Sequence, residues 1–281
     1  MCSSDLPTNN KIWTYSLWVK RGILGTEQEL LNANSNASQF YFASSTDTLV
    51  FYDGTSGASY TTSQVFRDPS AWYHIIVAVD TTQATAGNRV KIYLNGSQIT
   101  AFSSATAPTQ NNASAYNVAS TIHAIGRYNV TGVNYFDGYM AEINFIDGQA
   151  LTPSSFGETS TTTGVWIPKQ YAGTYGTNGF YLNFSNGTST TTLGYDSSSN
   201  GNNWTTNNIS LTTGSTYDWM IDSPTSFAGT SYGVGNYAVL NPLFSNGTAT
   251  MSGGNLNWNS STSAYGLSCS SMAAPLSGKW Y

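Results

Sequence analysis

The chain has 281 residues, of which 40% are hydrophobic and only 8% are charged, and its formal net charge is −5. This apolar content is sufficient for a folded core and excludes a disordered chain. The nine Lys and Arg residues form no cluster, which excludes the basic surface that nucleic-acid binding requires. No apolar stretch approaches the roughly eighteen residues of a membrane-inserted span.

Small and polar residues divide the chain into short segments. Gly, Ser, Thr and Asn recur roughly every ten residues, and there are 27 glycines. Short strands separated by turns at this spacing are typical of an all-β sandwich or barrel. We therefore predict an all-β fold, an antiparallel β-sandwich followed by a second, truncated β-rich unit.

The two ends of the sequence suggest a fragment. MCSSDL at residues 1–6 matches the translation of a common sequencing adapter, so we predict an assembly artefact there, with the natural N-terminus missing. At the other end, LSGKWY stops where we expect a strand to begin. The two cysteines, Cys2 and Cys269, are too few for a disulfide framework or a thiolate metal site.

The first predicted strand is Ile12–Lys20. Apolar and polar residues alternate along it, which is typical of a half-buried strand. This alternation predicts that Trp13, Tyr15, Leu17 and Val19 face a core.

The next segments predict two strand pairs and a central strand. Gln39–Ala43 and Thr48–Tyr52 form a pair around the turn at residues 44–47. Trp72–Asp80 is almost entirely β-branched or aromatic, which favours a strand buried on both faces. Val90–Ile99 is predicted to be a hairpin, because Asn95-Gly96 tolerates positive φ at both central positions of a type I′ turn.

The remainder of the first unit contains a long polar stretch. We predict a surface loop with one short strand over Ser103–Ser120, followed by strands at Thr121–Gly126 and Phe136–Phe145. Thr152 is the predicted cap of a single helical turn that starts at Pro153.

The composition changes after Glu158. Residues 159–235 are rich in Gly, Ser, Thr and Asn, which predicts an extension whose last part, 217–235, is a linker or a long loop. Short strand-like pieces (YAVL, NLNW, KWY) resume in residues 236–281. We interpret these residues as the truncated start of a second β-sandwich.

Five segments, taken in their order along the chain, resemble a known family. YSLWVKRG, AWYHIIVAVDTT, RVKIYLNGSQIT, AIGRYN and FDGYMAEINFIDGQALTPSSFGE resemble, in this order, the laminin-G-like jelly rolls of the concanavalin A-like lectin/glucanase superfamily. The resemblance covers residues 7–158 and implies a jelly-roll sandwich of that superfamily.

The segments after residue 158 resemble phage proteins. GVWIPK, YGTNGFYLNF, DSSSNGNNWT, DSPT and NYAVLNPL are similar to the region C-terminal to this domain in tail-fibre or appendage proteins of marine bacteriophages, and GKWY resembles the opening strand of a SPRY-like sandwich. The resemblance implies a virion structural protein whose partners are a host cell-surface glycan, other virion proteins and, as one option, further copies of itself. The alternative is a secreted bacterial carbohydrate-binding module or adhesin.

The superfamily also contains glycosidases, and a retaining enzyme needs two carboxylates about 5–5.5 Å apart. The four glutamates are Glu27, Glu29, Glu142 and Glu158, and none stands in the E-x-D-x-x-E arrangement of the sandwich-fold glucanases. His74 and His123 lie in predicted strands among apolar residues, which favours packed core histidines over catalytic bases. We therefore predict no enzyme, with a glycan depolymerase as the remaining alternative.

One segment could bind calcium. Asp196 and Asn200 place oxygen side chains in a loop with a turn glycine, and calcium prefers oxygen ligands. The alternative is a tight turn closed by hydrogen bonds from side chains to the backbone. Calcium is the one cofactor that the resemblance makes possible; no other is predicted.

Aromatic and polar residues that could bind a sugar occur together in two loop stretches. A pyranose offers C–H groups to an aromatic face and hydroxyls to amides, carboxylates and guanidinium groups. The predicted carbohydrate-binding residues are Tyr52, Asp53 and Tyr60 in the first stretch and Arg127, Tyr128, Asn129 and Tyr135 in the second. The alternative is that these tyrosines are ordinary surface or subunit contacts.

Overall fold

The computed structural model describes residues 7–33, 37–118, 121–129, 133–213, 217–220, 223–224, 238–245, 249–260 and 268–270. The predicted artefact at residues 1–6 lies outside the described residues, as do Cys2, the KWY piece and most of the predicted linker at 217–235.

The regular secondary structure of the described residues consists mainly of antiparallel strands. Its first strands are β1 (Ile12–Arg21), β2 (Gln28–Ala33), β3 (Ser38–Phe42), β4 (Thr48–Asp53), β5 (Ala58–Val65), β6 (Tyr73–Asp80), β7 (Val90–Leu94), β8 (Ser97–Gln98) and β9 (Phe102–Thr106). The later strands are β10 (His123–Ile125), β11 (Gly138–Asp147), β12 (Gly157–Thr159), β13 (Trp166–Pro168), β14 (Phe180–Leu182), β15 (Leu240–Ser245), β16 (Ala249–Ser252), β17 (Asn257–Ser260) and β18 (Ser268–Ser270).

Within the described residues, helical structure is limited to single turns. One α-helical turn, α1, spans Thr190–Leu193, and short 3₁₀ helices span Ala86–Asn88, Ala115–Asn117 and Pro153–Ser155. Thr152 occupies the predicted cap position, but its side chain makes no capping hydrogen bond. No helix in the described ranges is long and apolar enough to cross a membrane.

Two six-stranded sheets form the sandwich. The front sheet has the order β14-β11-β1-β6-β7-β8, and the back sheet has the order β10-β2-β3-β4-β5-β9. The pairings within both sheets are antiparallel. The all-β sandwich predicted from the sequence is therefore confirmed.

The core lies between the two sheets, and β1 contributes to it as predicted. Trp13, Tyr15, Leu17 and Val19 are all buried in the main hydrophobic cluster. Trp13 stacks on Phe145 of the neighbouring strand β11, with ring centroids 5.6 Å apart. The alternating pattern of β1 thus places its large apolar side chains against the back sheet.

The outer face of the front sheet is also buried. A second hydrophobic cluster lies on it, made of residues from the sheet and from the chain that follows β11: Ile76, Ala78, Tyr93, Ile146, Phe156, Tyr175 and Tyr181. Strand β14 pairs with β11, so residues 180–182 belong to the front sheet. The boundary at residue 158 stays a prediction, although packing against the sandwich continues beyond it.

The Val90–Ile99 hairpin and the central strand follow the sequence predictions. Asn95 and Gly96 both have positive φ, 47° and 85°, as a type I′ turn requires. Strand β6 is buried along all but its last residue. Strands β2 and β5 were not predicted, because their polar residues break the apolar alternation.

Strands also occur in the last part of the chain. β15 pairs with β18, and β16 pairs with β17. The turn before β17 contacts the first unit, where the Asn255 side-chain nitrogen donates to the Gly22 carbonyl at 2.8 Å. The Gly254 N–H donates to the Asp137 carboxylate at 3.0 Å.

A buried ion pair fastens the end of β1 to the β3–β4 turn. The Arg21 guanidinium lies 3.1 Å from the Asp47 carboxylate, and both side chains are buried. Burial works to raise the pKa of Asp47, but the Gly25 N–H and the Arg67 and Arg21 guanidiniums outweigh burial and hold that pKa below its usual value.

We expect Asp47→Asn to lower the free energy of unfolding by about 3–5 kcal/mol, because Arg21 would remain buried without its counter-charge. Arg67→Gln is the matched control. The Arg67 side chain also contacts Asp47 but is 49% exposed, so the loss should stay below about 1 kcal/mol. Urea unfolding at pH 7 measures both variants, and equal losses would contradict the burial argument.

Candidate functional site

A cavity of about 610 Å³ lies where the edge of the sandwich meets the chain that follows β14. Strand β10 and the beginning of β11 form one wall, and described residues between Leu182 and Ser223 contribute the other. The cavity is rich in aromatic side chains, and those lining it are Tyr135, Phe136, Tyr139, Phe184, Trp204 and Trp219.

Trp204 is held in the cavity wall from two sides. Its backbone N–H donates to the Gly194 carbonyl at 2.7 Å, directly after helix α1. Its ring meets Phe180 of β14 edge-on, with centroids 5.0 Å apart. The indole nitrogen is buried and has no hydrogen-bond partner among the described residues.

Trp219 is fixed by its polar edge. Its indole nitrogen donates to the Phe184 carbonyl at 2.7 Å. Gly187 lies so close beneath the ring that a Cβ there would approach it to 2.4 Å, and therefore a larger residue cannot take this position without moving the indole. Asp218, which precedes Trp219 in the chain, accepts a hydrogen bond from the Ser210 N–H at 2.6 Å. This bond links the two ends of the segment between Ser210 and Asp218.

Two residues predicted to bind carbohydrate line this cavity, Arg127 and Tyr135. Tyr135 is 51% exposed, and Ile122 and Ile209 are further exposed apolar side chains in the lining. The cavity also presents neutral amides at Asn207 and Asn208. Aromatic rings beside amides, a carboxylate and a guanidinium are the groups that bind an amphipathic sugar ring.

The first predicted stretch does not form a single site. Tyr52 is 38% exposed, whereas Asp53 and Tyr60 are buried. Asp53 accepts a hydrogen bond from the Ser38 hydroxyl at 2.8 Å, and Tyr60 packs edge-on against Phe102 at 5.3 Å. Side chains alternate along a strand, so Tyr52 points away from Asp53 and the two do not share a surface.

Tyr128 and Asn129 lie outside the cavity lining. Tyr128 is buried, and the Asn129 side-chain nitrogen donates to the Ile122 carbonyl at 3.0 Å. Arg127 and Tyr135 thus line the same cavity, whereas Tyr128 and Asn129 do not line it. As carbohydrate ligands, all seven residues stay a prediction.

Glu29 is a buried carboxyl group at the start of β2. Its N–H donates to the Asn134 carbonyl at 3.0 Å, but neither carboxyl oxygen has a hydrogen-bond partner in the described part of the chain. Burial, assisted by the charge of Glu27, raises the pKa of Glu29 to about 8. Glu29 is therefore protonated at neutral pH.

Glu142 lies on a different sheet from Glu29. Glu27 and Glu29 belong to the back-sheet side, while Glu142 lies on β11 of the front sheet and accepts a hydrogen bond from the Tyr181 hydroxyl at 2.5 Å. Glu158 is exposed on β12. Glu29, the one with a strongly raised pKa, is sealed from solvent.

His74 is a packed core residue, as predicted. The Trp166 indole donates to its Nδ1 at 2.8 Å, so the proton of the neutral ring is on Nε2 and is donated to the Ser16 hydroxyl at 2.9 Å. Burial lowers the pKa of His74 to about 3. The imidazole thus gives a hydrogen bond to Ser16 and cannot accept its proton as a catalytic base would.

The predicted calcium loop has the hydrogen bonds of a turn. The Asp196 carboxylate accepts from the N–H groups of Tyr181, Ser198 and Asn202 and from the Ser198 hydroxyl, at 2.8–2.9 Å. The Asn200 side-chain nitrogen donates to two carbonyls. These donors occupy the carboxylate that calcium would need, so the residues present do not fit the ion.

The described ranges contain no cluster of metal-binding side chains. No three His, Cys, Asp or Glu side chains within the described ranges come close enough together to hold a metal ion.

Trp204 and Trp219 were not predicted as site residues from the sequence. Both stand in stretches of Asn, Thr and Gly that we interpreted as extension and linker. A large aromatic residue in a polar, low-charge segment must pack against something or stay accessible to a ligand, and this was the signal that could have identified them.

Comparison with known proteins identifies the first part of the chain. Residues 2–155 match the sequence model of the concanavalin A-like lectin/glucanases superfamily. No curated protein matches the sequence.

Solved structures with a similar fold include three of different origin. A heptameric SAP-like pentraxin from Limulus polyphemus is 17% identical, with 52% of this chain and 68% of that chain covered and a TM-score of 0.38. A putative carbohydrate binding protein from Bacteroides ovatus is 15% identical, with 60% of this chain and 47% of that chain covered and a TM-score of 0.41. Domain 4 of AbnA, a GH43 extracellular arabinanase from Geobacillus stearothermophilus, in complex with arabinotriose, is 21% identical, with 51% of this chain and 64% of that chain covered and a TM-score of 0.36. At these TM-scores the similarity says nothing about what this chain binds.

We expect Glu29 to make the protein less stable as the pH rises. The unfolded chain releases this proton near pH 4.5, but the folded chain keeps it until about pH 8. The contribution of Glu29 to the free energy of unfolding is therefore fully present below pH 4.5. Between pH 4.5 and pH 8 this contribution decreases by up to about 1.4 kcal/mol per pH unit.

Urea unfolding between pH 5 and 9 tests this expectation. Glu29→Gln should flatten the decline, because its amide does not titrate. Glu158→Gln, on an exposed residue, is the control and should follow the wild-type curve. A Glu29→Gln curve parallel to wild type would show that Glu29 is ionised in the folded protein.

Proposed function

Because the chain belongs to the concanavalin A-like lectin/glucanases superfamily, we propose that it is a non-catalytic carbohydrate-binding module. The proposed binding site is the cavity beside β10 and β11.

The observation that carries the proposal is the composition of this cavity. Trp204 and Trp219 line it together with Tyr135, and the polar edge or backbone of each tryptophan is fixed by a hydrogen bond within the protein. Fixed aromatic faces lose little conformational entropy when a sugar ring stacks on them. Asn207, Asn208 and Asp218 offer acceptors and donors to the hydroxyl groups of the same sugar.

The absence of catalysis is part of the proposal. It is supported by the position of Glu142 on the other sheet from Glu29 and by the inaccessibility of Glu29. It is also supported by the direction of the hydrogen bond between His74 and Ser16. The imidazole donates to the Ser16 hydroxyl, whereas a general base would accept a proton from its nucleophile.

For the biological setting, we propose an appendage of a bacteriophage virion, such as a tail fibre, that attaches to a host cell-surface glycan. In this setting the chain contacts other virion proteins, and residues 236–281 are the start of a SPRY-like sandwich. The support is the sequence resemblance of the segments after residue 158. The alternative is a secreted bacterial carbohydrate-binding module, and the neighbouring genes distinguish the two: tail, baseplate and terminase genes indicate a phage.

We expect the protein to bind one or more polysaccharides on a glycan array without releasing reducing ends. Trp219→Ala should weaken binding at least about tenfold in calorimetry, since it removes a stacking surface. Trp258→Ala is the matched control, because Trp258 is exposed on β17 and does not line the cavity.

Three outcomes would contradict the proposal. No binding to any glycan on the array would exclude carbohydrate binding. A folded Trp219→Ala variant with wild-type affinity would exclude this cavity as the binding site. Release of reducing ends that is lost in Glu27→Gln or Glu142→Gln would exclude a non-catalytic module.

A further inference from the structure

Arg127 differs from the other arginines in having no partner among the described residues. The chain contains four arginines. Arg21 and Arg67 both contact Asp47, and Arg89 donates to the carbonyls of Gln83, Ala84 and Pro108. Arg127 makes no hydrogen bond or ion pair with any described residue.

The unpaired guanidinium lines the cavity. Arg127 is half-buried there, and it is the one Lys or Arg residue in the described lining. His123 also lines the cavity, but burial lowers the pKa of this histidine, and its ring nitrogens face the carbonyls of Thr121 and Tyr116. Arg127 is therefore the group that can attract an anion.

The cavity carboxylate does not neutralise Arg127. Asp218 forms no ion pair with it and instead accepts the Ser210 N–H at 2.6 Å. A ligand carboxylate would therefore find a free guanidinium on one wall and would be repelled from the wall that carries Asp218. The cavity thus distinguishes the orientation of an acidic sugar as well as its charge.

The environment of Arg127 in the cavity strengthens its attraction to a ligand carboxylate. Half-burial beside apolar and aromatic side chains lowers the local dielectric, which increases the attraction between opposite charges. A guanidinium also presents two parallel N–H groups that match the two oxygens of a carboxylate. The net charge of the chain is −5, so general attraction of acidic polymers does not explain such binding.

From these observations, and resting on the proposed carbohydrate-binding function, we propose that the cavity selects saccharides that carry a carboxylate, with Arg127 as the residue that recognises it. The ligand class is a uronic-acid-containing oligosaccharide. Its ring stacks on the tryptophans, and its carboxylate accepts the two N–H groups of Arg127.

The test compares acidic and neutral forms of the same sugars. Oligomers of galacturonate, alginate and hyaluronan are each paired with their carboxyl-reduced forms, and the affinities of the full chain are measured by calorimetry. We expect at least one acidic member to bind tenfold or more tightly than its reduced partner. Arg127→Gln should reduce the affinity for the acidic member to that of the reduced one.

Two further variants distinguish the role of the Arg127 guanidinium from that of positive charge in general. Arg127→Lys keeps the charge but not the paired N–H groups and should recover only part of the affinity. Lys169→Gln removes one positive charge from an exposed site outside the cavity and should bind like wild type.

The outcomes separate this inference from the proposed function. Equal binding of the acidic and reduced forms, or an unchanged preference in Arg127→Gln, overturns the role of Arg127 and leaves carbohydrate binding intact. No binding of any acidic or reduced oligomer, together with silence on the glycan array, overturns both.

Discussion

The structure depends on the exclusion of water from both faces of the front sheet. Its central strands β1 and β6 are buried almost throughout, so one face packs on the back sheet and the other needs a second cover. Phe156 and Tyr175, from the chain that follows β11, provide that cover. A sheet that is apolar on both faces cannot leave one of them in water without a large loss of hydrophobic free energy.

This requirement determines the path of the chain after the sandwich. Asp147, at the end of β11, accepts hydrogen bonds from the N–H groups of Thr8, Asn9 and Asn178 and from the Asn117 amide, and so joins four segments. The chain then adds β14 to the front sheet, and the cavity lies directly after that strand. The candidate site is therefore a consequence of how the outer face is covered.

Charge is scarce, and three of the acidic side chains have well-defined surroundings. Asp47 lies against two arginines, Asp196 accepts hydrogen bonds from four donors, and Glu29 keeps its proton at neutral pH. A buried polar group without such compensation costs several kcal/mol, so most of these groups have structural roles. An arginine that lacks a partner in such a protein is therefore informative, because the described fold does not use it.

The sequence alone determined the all-β sandwich, the inward face of β1, the hairpin at Asn95-Gly96 and the packed state of His74, because local periodicity and turn chemistry decide these features. It could not predict β2, since Gln28 and Glu29 are polar although both are buried. Only the tertiary structure decided that Tyr52 is exposed while Tyr60 is buried, and that Arg127, Trp204 and Trp219 line the same cavity. Strand register and the cover of the outer face bring distant residues together, and no local pattern in the chain contains that information.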